Sequence, residues 1–208
     1  KKVFFGTTSE LLQLMPTDDT LKYGTAIANQ SVVADVLLKK INAQQATFQI
    51  DNKEIDVDLQ LTGVYNLLNA AAAVALARQI AGPEITDTIL SALENIKPAF
   101  GRGETIYLNG TPIELILVKN PSGFRLALLS FAKNNSATMI AVNDNYADGR
   151  DVSWFWDVDF SLLKNVAMIS GVRAYDMALR LQYDDISIGK IDTNISKALE
   201  DFINTNPD

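Results

Sequence analysis

From Thr105 onward the chain alternates short β-forming runs with amphipathic helical segments, and few architectures accommodate that alternation. TIYLNGTPIELILVK, residues 105–119, holds Asn109-Gly110 between alternating β-formers, which predicts a tight hairpin. Its second arm, Ile113–Val118, is almost continuously apolar and is expected as a buried strand. Pro121-Ser122-Gly123 opens a helix through Ala132, with Phe124, Leu128 and Phe131 on one side. Thr138–Val142 and Val166–Ser170 read as buried strands, Arg173–Leu181 as a helix, Ile186–Ile191 as a strand and Ile195–Ile203 as a helix. This order predicts an α/β fold with a parallel or mostly parallel sheet and helices on both faces. Ligands in such folds gather beyond the carboxyl ends of strands, so 119–123, 143–154 and 171–173 are the expected functional loops.

The first hundred residues have a different texture. Lys2–Thr7 is a short β-rich run, and 9–31 shows no period and contains Pro16, Asp18, Asp19, Gly24 and Asn29, which predicts an irregular or mobile segment. Val32–Leu38 is apolar and partly β-branched. Ala46–Ile50 and Ile55–Leu61 alternate, and Asp51-Asn52-Lys53-Glu54 between them reads as a hairpin turn. GVYNLLNAAAAVALARQIAG predicts a helix from about Tyr65 to Ile80, stopped by Gly82-Pro83, whose small side chains let it lie close against a sheet or another helix. A second helix is expected over Thr86–Asn95 with Thr86 as its N-cap. Lys97-Pro98-Ala99-Phe100-Gly101 reads as a junction that divides the chain into domains 1–97 and 98–208.

Composition removes several chemistries. Among the 208 residues there is no cysteine and no histidine. Disulfides and thiolate or imidazole metal sites are therefore excluded, and so is a Ser-His or Cys-His nucleophile pair built from this chain alone. A net charge of −7 with scattered Lys and Arg argues against nucleic acid as the main partner. No apolar run approaches the length of a membrane span, and no charged-then-apolar signal segment opens the sequence, so a cytoplasmic protein is expected.

Four stretches carry residues suited to binding or catalysis. Asn66 and Asn69, three apart at a helix start, are placed to read a purine edge with their amides; N-capping by Asn66 and a polar helix face explain them as well. Arg102, between Gly101 and Gly103, suits a phosphate or a salt bridge with a nearby acid. Lys119 and Asn120 precede a helix N-terminus, where an anion would be favoured, although a solvated lysine and a Pro-started helix fit equally. Asn143–Asp159, reading NDNYADGRDVSWFWDVD, gathers Asp144, Asp148, Asp151, Asp157 and Asp159 with both tryptophans of the chain. It fails the pattern of a calcium-binding helix–loop–helix, since Tyr146 and Phe155 occupy ligand positions. The remaining readings are a carboxylate that orients a partner's histidine in trans and a solvated loop pinned by its tryptophans.

Taken together, these stretches resemble a known family. GVYNLLNAAAAVALA is similar to the adenine-holding segment of the Mur ligase central domain. GRGE, LVKNPSGF, NDNYADGRDVSWFWD and SGVRAYDMALRL, in that order, resemble the C-terminal domain of the MurT subunits of lipid II isoglutaminyl synthase. The resemblance runs from about Asp35 to Asp201. It implies a partial central ATP-binding domain followed by a Rossmann-like α/β C-terminal domain. Asn66 and Asn69 would meet adenine, Arg102 the phosphates of ATP, and Lys119 and Asn120 the nucleotide from the second domain. ATP and Mg2+ would act in the full-length complex. The acidic loop would face the GatD-type glutaminase, with Asp148 or Asp151, and Asp144 as third choice, completing its Cys-His pair. The complex would amidate the D-glutamate α-carboxylate of lipid II through an acyl phosphate, at the inner face of the membrane, in peptidoglycan synthesis.

Two departures accompany the resemblance. The Gly-rich phosphate loop G-x-x-x-x-G-K-[ST] of the family is missing from these residues, so ATP hydrolysis by this stretch unaided is not expected. The family's four-cysteine zinc ribbon, which would fall near residues 15–33, is not present. Alternative readings are a non-catalytic module that docks and activates a glutaminase, or a relative of amino-acid-adding Mur ligases or folylpolyglutamate synthases.

Overall fold

Asp51 and Asn52 both adopt the left-handed backbone conformation, φ 49° and 64°, which a two-residue hairpin turn demands and which Asp and Asn tolerate well. In the computed structural model, which describes residues 2–12, 33–42, 44–61, 63–132, 136–145 and 150–206, this turn joins β3 (Gln45–Ile50) to β4 (Lys53–Asp58). β2 (Val36–Asn42) pairs antiparallel with β3 through an irregularity between Leu38 and Lys40. β1 (Phe5–Thr7) pairs parallel with β2, completing a sheet ordered β1-β2-β3-β4. A short helix, α1 (Ser9–Leu12), follows β1. Most of the segment expected to be irregular lies outside the described residues.

The alanine-rich run forms α2 (Val64–Ala81), ended by Gly82 at φ 100°. It packs on β1 and β2, and Ala70, Ala71 and Ala75 are buried against Val36, Leu38, Phe48 and Val57. Small side chains at the contact allow this close approach. α3 (Thr86–Glu94) follows a 3-10 turn, Pro83–Ile85. Thr86 is the first helical residue and not the expected N-cap, which is Ile85. The Thr86 hydroxyl donates to the Pro83 carbonyl and accepts from Arg78 Nε at 2.8 Å.

β5 (Arg102–Leu108) and β6 (Thr111–Ile116) form a two-stranded hairpin whose turn, Asn109-Gly110, has φ 53° and 88°. The expectation of a buried strand over Ile113–Val118 is corrected here. Among the described residues β6 pairs only with β5, and Leu115 and Leu117 are exposed. An apolar run does not disclose whether another layer covers it.

The last hundred residues contain a three-stranded parallel sheet ordered β7-β8-β9: β7 (Met139–Ala141), β8 (Asn165–Ser170) and β9 (Ser187–Asp192). α4 (Pro121–Phe131) precedes it, and its N-cap Asn120 accepts from Gly123 N at 2.7 Å. The loop 119–123 is therefore a helix start and not a carboxyl-end loop of the parallel sheet. α5 (Ala174–Gln182) and α6 (Ile195–Thr205) both rest on β8 and β9. Phe124, Phe155, Phe160, Val166, Ile169, Met177 and Leu181 build the core beneath them.

Two compact units result. One comprises Lys1–Glu104 with Glu114–Leu117, the other Thr105–Ile113 with Val118–Asp208. The chain ends of β7 and β8 meet inside the second unit. Arg173 N donates to Val142 O at 3.1 Å and Val172 N to Asn143 Oδ1 at 3.1 Å. Gly171 makes that approach possible, with φ 91° and an ideal Cβ only 2.1 Å from Val142 O. Gly171→Ala is accordingly expected to lose about 2–4 kcal/mol of stability in urea denaturation, whereas Gly110→Ala, whose Cβ would meet nothing within 4 Å, costs about 1 kcal/mol through its positive φ alone.

Candidate functional site

The acidic loop leaves β7 and ends in a 3-10 turn, Ser153–Asp157. Both ends are fastened by arginines. At the start, Arg173 Nη1 lies 3.9 Å from Asp144 Oδ2, and its Nε lies 3.3 Å from Asp176 Oδ2. At the end, Arg180 is buried on α5. Its Nε donates to Phe155 O at 3.0 Å, its Nη2 to Val158 O at 2.6 Å, and its Nη1 pairs with Asp184 at 2.8 Å. Arg125 on α4 donates from Nε to Asp157 O at 3.0 Å. A buried guanidinium is tolerable only when its donors find acceptors, and here two carbonyls and a carboxylate supply them.

The two tryptophans divide the work. Trp154 turns inward, edge-on to Phe155 at 4.7 Å and tilted on Phe124 at 6.2 Å. Trp156 is half exposed, edge-on to Tyr183 at 4.9 Å, with the Arg180 guanidinium 5.3 Å from its ring. Such a cation over an indole holds the ring in place.

Asp151 is exposed, and its Oδ1 accepts from Ser153 N at 2.8 Å. Hydrogen bonds from the Ser153 backbone and hydroxyl hold its pKa below the ordinary carboxylate value. A lowered folded-state pKa means that the ionised form, and whatever stability it contributes, is complete above the ordinary value and is lost only as pH falls through the lowered one. Asp151 therefore stands as a carboxylate at neutral pH. It lines a pocket of about 300 Å³ together with Arg150, Ser153, Trp156, Arg173, Asp176 and Leu179. Asp148 lies outside the described residues. Asp144 is engaged with Arg173, and Asp159 accepts from Ser161 N at 2.9 Å.

The residues expected at a nucleotide are distributed over both units. In the first, Asn66 is buried and its Nδ2 donates to Arg102 O at 3.0 Å, a joint between α2 and β5. Neither the N-cap position, held by Gly63, nor a shared exposed face with Asn69 describes Asn66. Asn69 and the Arg102 side chain are exposed. In the second unit Lys119 is exposed, and Asn120 uses its amide oxygen as the N-cap of α4. Asn69, Arg102 and Lys119 thus present their polar groups to solvent, while Asn66 and Asn120 spend theirs on the fold.

The family model described as MurT ligase C-terminal matches residues 117–208, the segment that holds the acidic loop and both its arginine anchors. Residues 117–208 belong to the MurT C-terminal family. Over 175 residues the chain is 31% identical to the lipid II isoglutaminyl synthase (glutamine-hydrolyzing) subunit MurT of Streptococcus pneumoniae, covering 80% of this chain and 38% of that protein. It is 30% identical over 137 residues to the MurT subunit of Staphylococcus aureus strain COL, covering 63% and 31%. The chain thus spans under two fifths of the length of these curated relatives. Among solved structures, MurF from Acinetobacter baumannii is similar with TM-score 0.58 and 26% identity, covering 82% of this chain and 38% of that one. A pseudomurein peptide ligase type C from Methanothermus fervidus shares the fold, with TM-score 0.64 and 19% identity over 91% and 41%. The chain therefore has a mixed α/β, Mur ligase-like fold. Among the described residues no helix is long and apolar enough to cross a membrane.

In this MurT-type domain Arg180 is the residue that sequence reasoning did not single out. Its i,i+4 pairing with Asp184 is visible in RLQYD, but the carbonyls it serves are 22 and 25 residues away. Arg180→Met is expected to cost about 3 kcal/mol in urea unfolding. It should also shift the fluorescence of Trp156, read in a Trp154→Phe background, toward that of a free surface indole.

Proposed function

We propose that this chain is part of the Mur ligase-like subunit of an ATP- and glutamine-dependent amidotransferase that amidates the D-glutamate α-carboxylate of lipid II in peptidoglycan synthesis. Its role in that complex is to supply a carboxylate to a GatD-type glutaminase. The observation that carries this reading is Asp151: ionised, exposed, fixed by Ser153 at the edge of a pocket, and set in a domain of the MurT C-terminal family. A carboxylate so held can accept the N–H of a partner's imidazole, fix its tautomer and stabilise the imidazolium that forms when the imidazole takes a thiol proton. A glutaminase that lacks its own orienting carboxylate hydrolyses little glutamine until it is docked.

In the complete enzyme ATP with Mg2+ would supply the activation of the substrate carboxylate as an acyl phosphate, from which ammonia would displace phosphate. Asn69, Arg102 and Lys119 are the side chains of this chain left open to such a nucleotide. The work is done in the cytoplasm, at the inner face of the membrane where lipid II presents its peptide. A second reading is a docking and activating module without ligase chemistry of its own. Turnover of ATP by the assembled complex separates it from the first.

The test is glutamine hydrolysis by the GatD-type subunit with and without this chain. Wild type is expected to raise the rate, and Asp151→Asn to remove roughly a thousandfold of it while still binding. A complex in which Asp148→Asn abolishes activation and Asp151→Asn does not would move the role to Asp148. If both variants behave as wild type, the trans-carboxylate reading is wrong.

A further inference from the structure

The first N–H groups of a helical turn have no partner inside the turn. In the 3-10 turn Ser153–Asp157 the earliest of them, Ser153 N, donates to Asp151 Oδ1 at 2.8 Å. The donor is itself held, because Phe155 N donates to Val152 O at 3.1 Å and Arg180 Nε to Phe155 O at 3.0 Å. The Ser153 backbone first, and its hydroxyl second, lower the pKa of this carboxylate, with no charged neighbour taking part. The two oxygens of Asp151 are therefore unlike. Oδ1 faces a backbone donor that cannot become an acceptor, and Oδ2 is left for a donor arriving from outside this chain.

We propose that Ser153 is a positioning residue: it holds Oδ1 of Asp151 so that Oδ2 is the oxygen that accepts the imidazole N–H of the glutaminase. The inference rests on the reading of Asp151 given above. It adds which oxygen works and what holds the other.

The assignment has a consequence that can be read in two substitutions. A carboxylate accepts at both oxygens, whereas a carboxamide accepts at one end and donates at the other. In Asp151→Asn the amide oxygen stays on the fixed Ser153 N–H, so the NH2 group stands where Oδ2 was. That group meets the imidazole N–H donor to donor. The ring escapes the clash only by taking its other tautomer, which puts the proton on the nitrogen that must accept from the thiol. Asp151→Ala presents nothing at that place, and water leaves both tautomers open. Asp151→Asn, the closer isostere, is therefore the more damaging change.

The experiment measures the Kd of this chain for the GatD-type subunit and the maximal rate of glutamine hydrolysis at saturation, for Asp151→Asn, Asp151→Ala, Ser153→Ala and Ser153→Thr. In parallel the Asp151 carboxyl carbon is titrated by NMR in the free chain. All four variants are expected to keep Kd within about threefold. Asp151→Ala is expected to lose roughly a hundredfold in maximal rate and Asp151→Asn roughly a thousandfold. Ser153→Ala is expected to lose about fivefold and to raise the Asp151 pKa, because the ionised form loses a donor. Ser153→Thr, which keeps the hydroxyl, is expected to restore both. A change of stability alone moves neither the order of the two Asp151 variants nor the titration. An Asp151→Asn rate equal to or above that of Asp151→Ala overturns the oxygen assignment and leaves Asp151 as the carboxylate supplied in trans. Ser153→Ala with the rate and titration of wild type overturns the positioning role and again leaves Asp151 standing. Wild-type rates in both Asp151 variants overturn the reading of Asp151, and the role of Ser153 with it.

Discussion

A buried guanidinium decides the form of the second unit. Arg180 reaches from α5 to the carbonyls of Phe155 and Val158, which sit in a turn and have no strand to satisfy them. Remove it and the Val158 carbonyl loses its donor, while the Phe155 carbonyl keeps the Val158 N–H and Asp184 keeps the Phe160 N–H, a cost of about 3 kcal/mol. Keep it and the turn Ser153–Asp157 is tied to α5 at Phe155, with Val158 tied just beyond it. Phe155 and Phe160 then fall into the core, and Trp156 is left outside on top of the guanidinium. Asp151, two residues ahead of the turn, inherits its place from that anchoring.

The start of the same loop is fastened differently. There the backbone does most of the work: Gly171 allows the β8 exit to touch Val142, and Asn143 and Arg173 close the contact. Of the aspartates that crowd the loop, each described one has a local task. Asp144 answers Arg173, Asp151 is held by Ser153, Asp157 gives its carbonyl to Arg125, and Asp159 caps Ser161. Five carboxylates in seventeen residues look like a metal site when read as letters. In three dimensions the carboxylates of Asp144, Asp151 and Asp159 face different partners within the chain.

That difference explains what was legible in the sequence. Asn109-Gly110 and Asp51-Asn52 announce their turns because the required backbone is a property of those two residues alone. The alanine-rich helix and the strand–helix order from Thr138 to Thr205 are equally local signals. The run Ile113–Val118 misled because burial depends on what lies opposite, which composition does not record. Thr86 was a plausible cap, but the 3-10 turn before it and the demand of Arg78 for an acceptor gave its hydroxyl another use. The motifs that resemble MurT marked the acidic loop and contain Arg173 and Arg180, but not the part Arg180 plays, since its acceptors are carbonyls and every residue has one.

The state of Asp151 bears on how a divided active site can be silent when apart and active when joined. Its pKa is lowered by hydrogen bonds from Ser153, two residues along the same loop. Ionisation therefore does not wait for a partner's charge. A carboxylate has about four lone-pair positions, so bonds from one serine leave capacity for an incoming N–H. Docking then needs no proton uptake or release at Asp151. If a partner's imidazole is oriented from this side, the switch is the encounter itself.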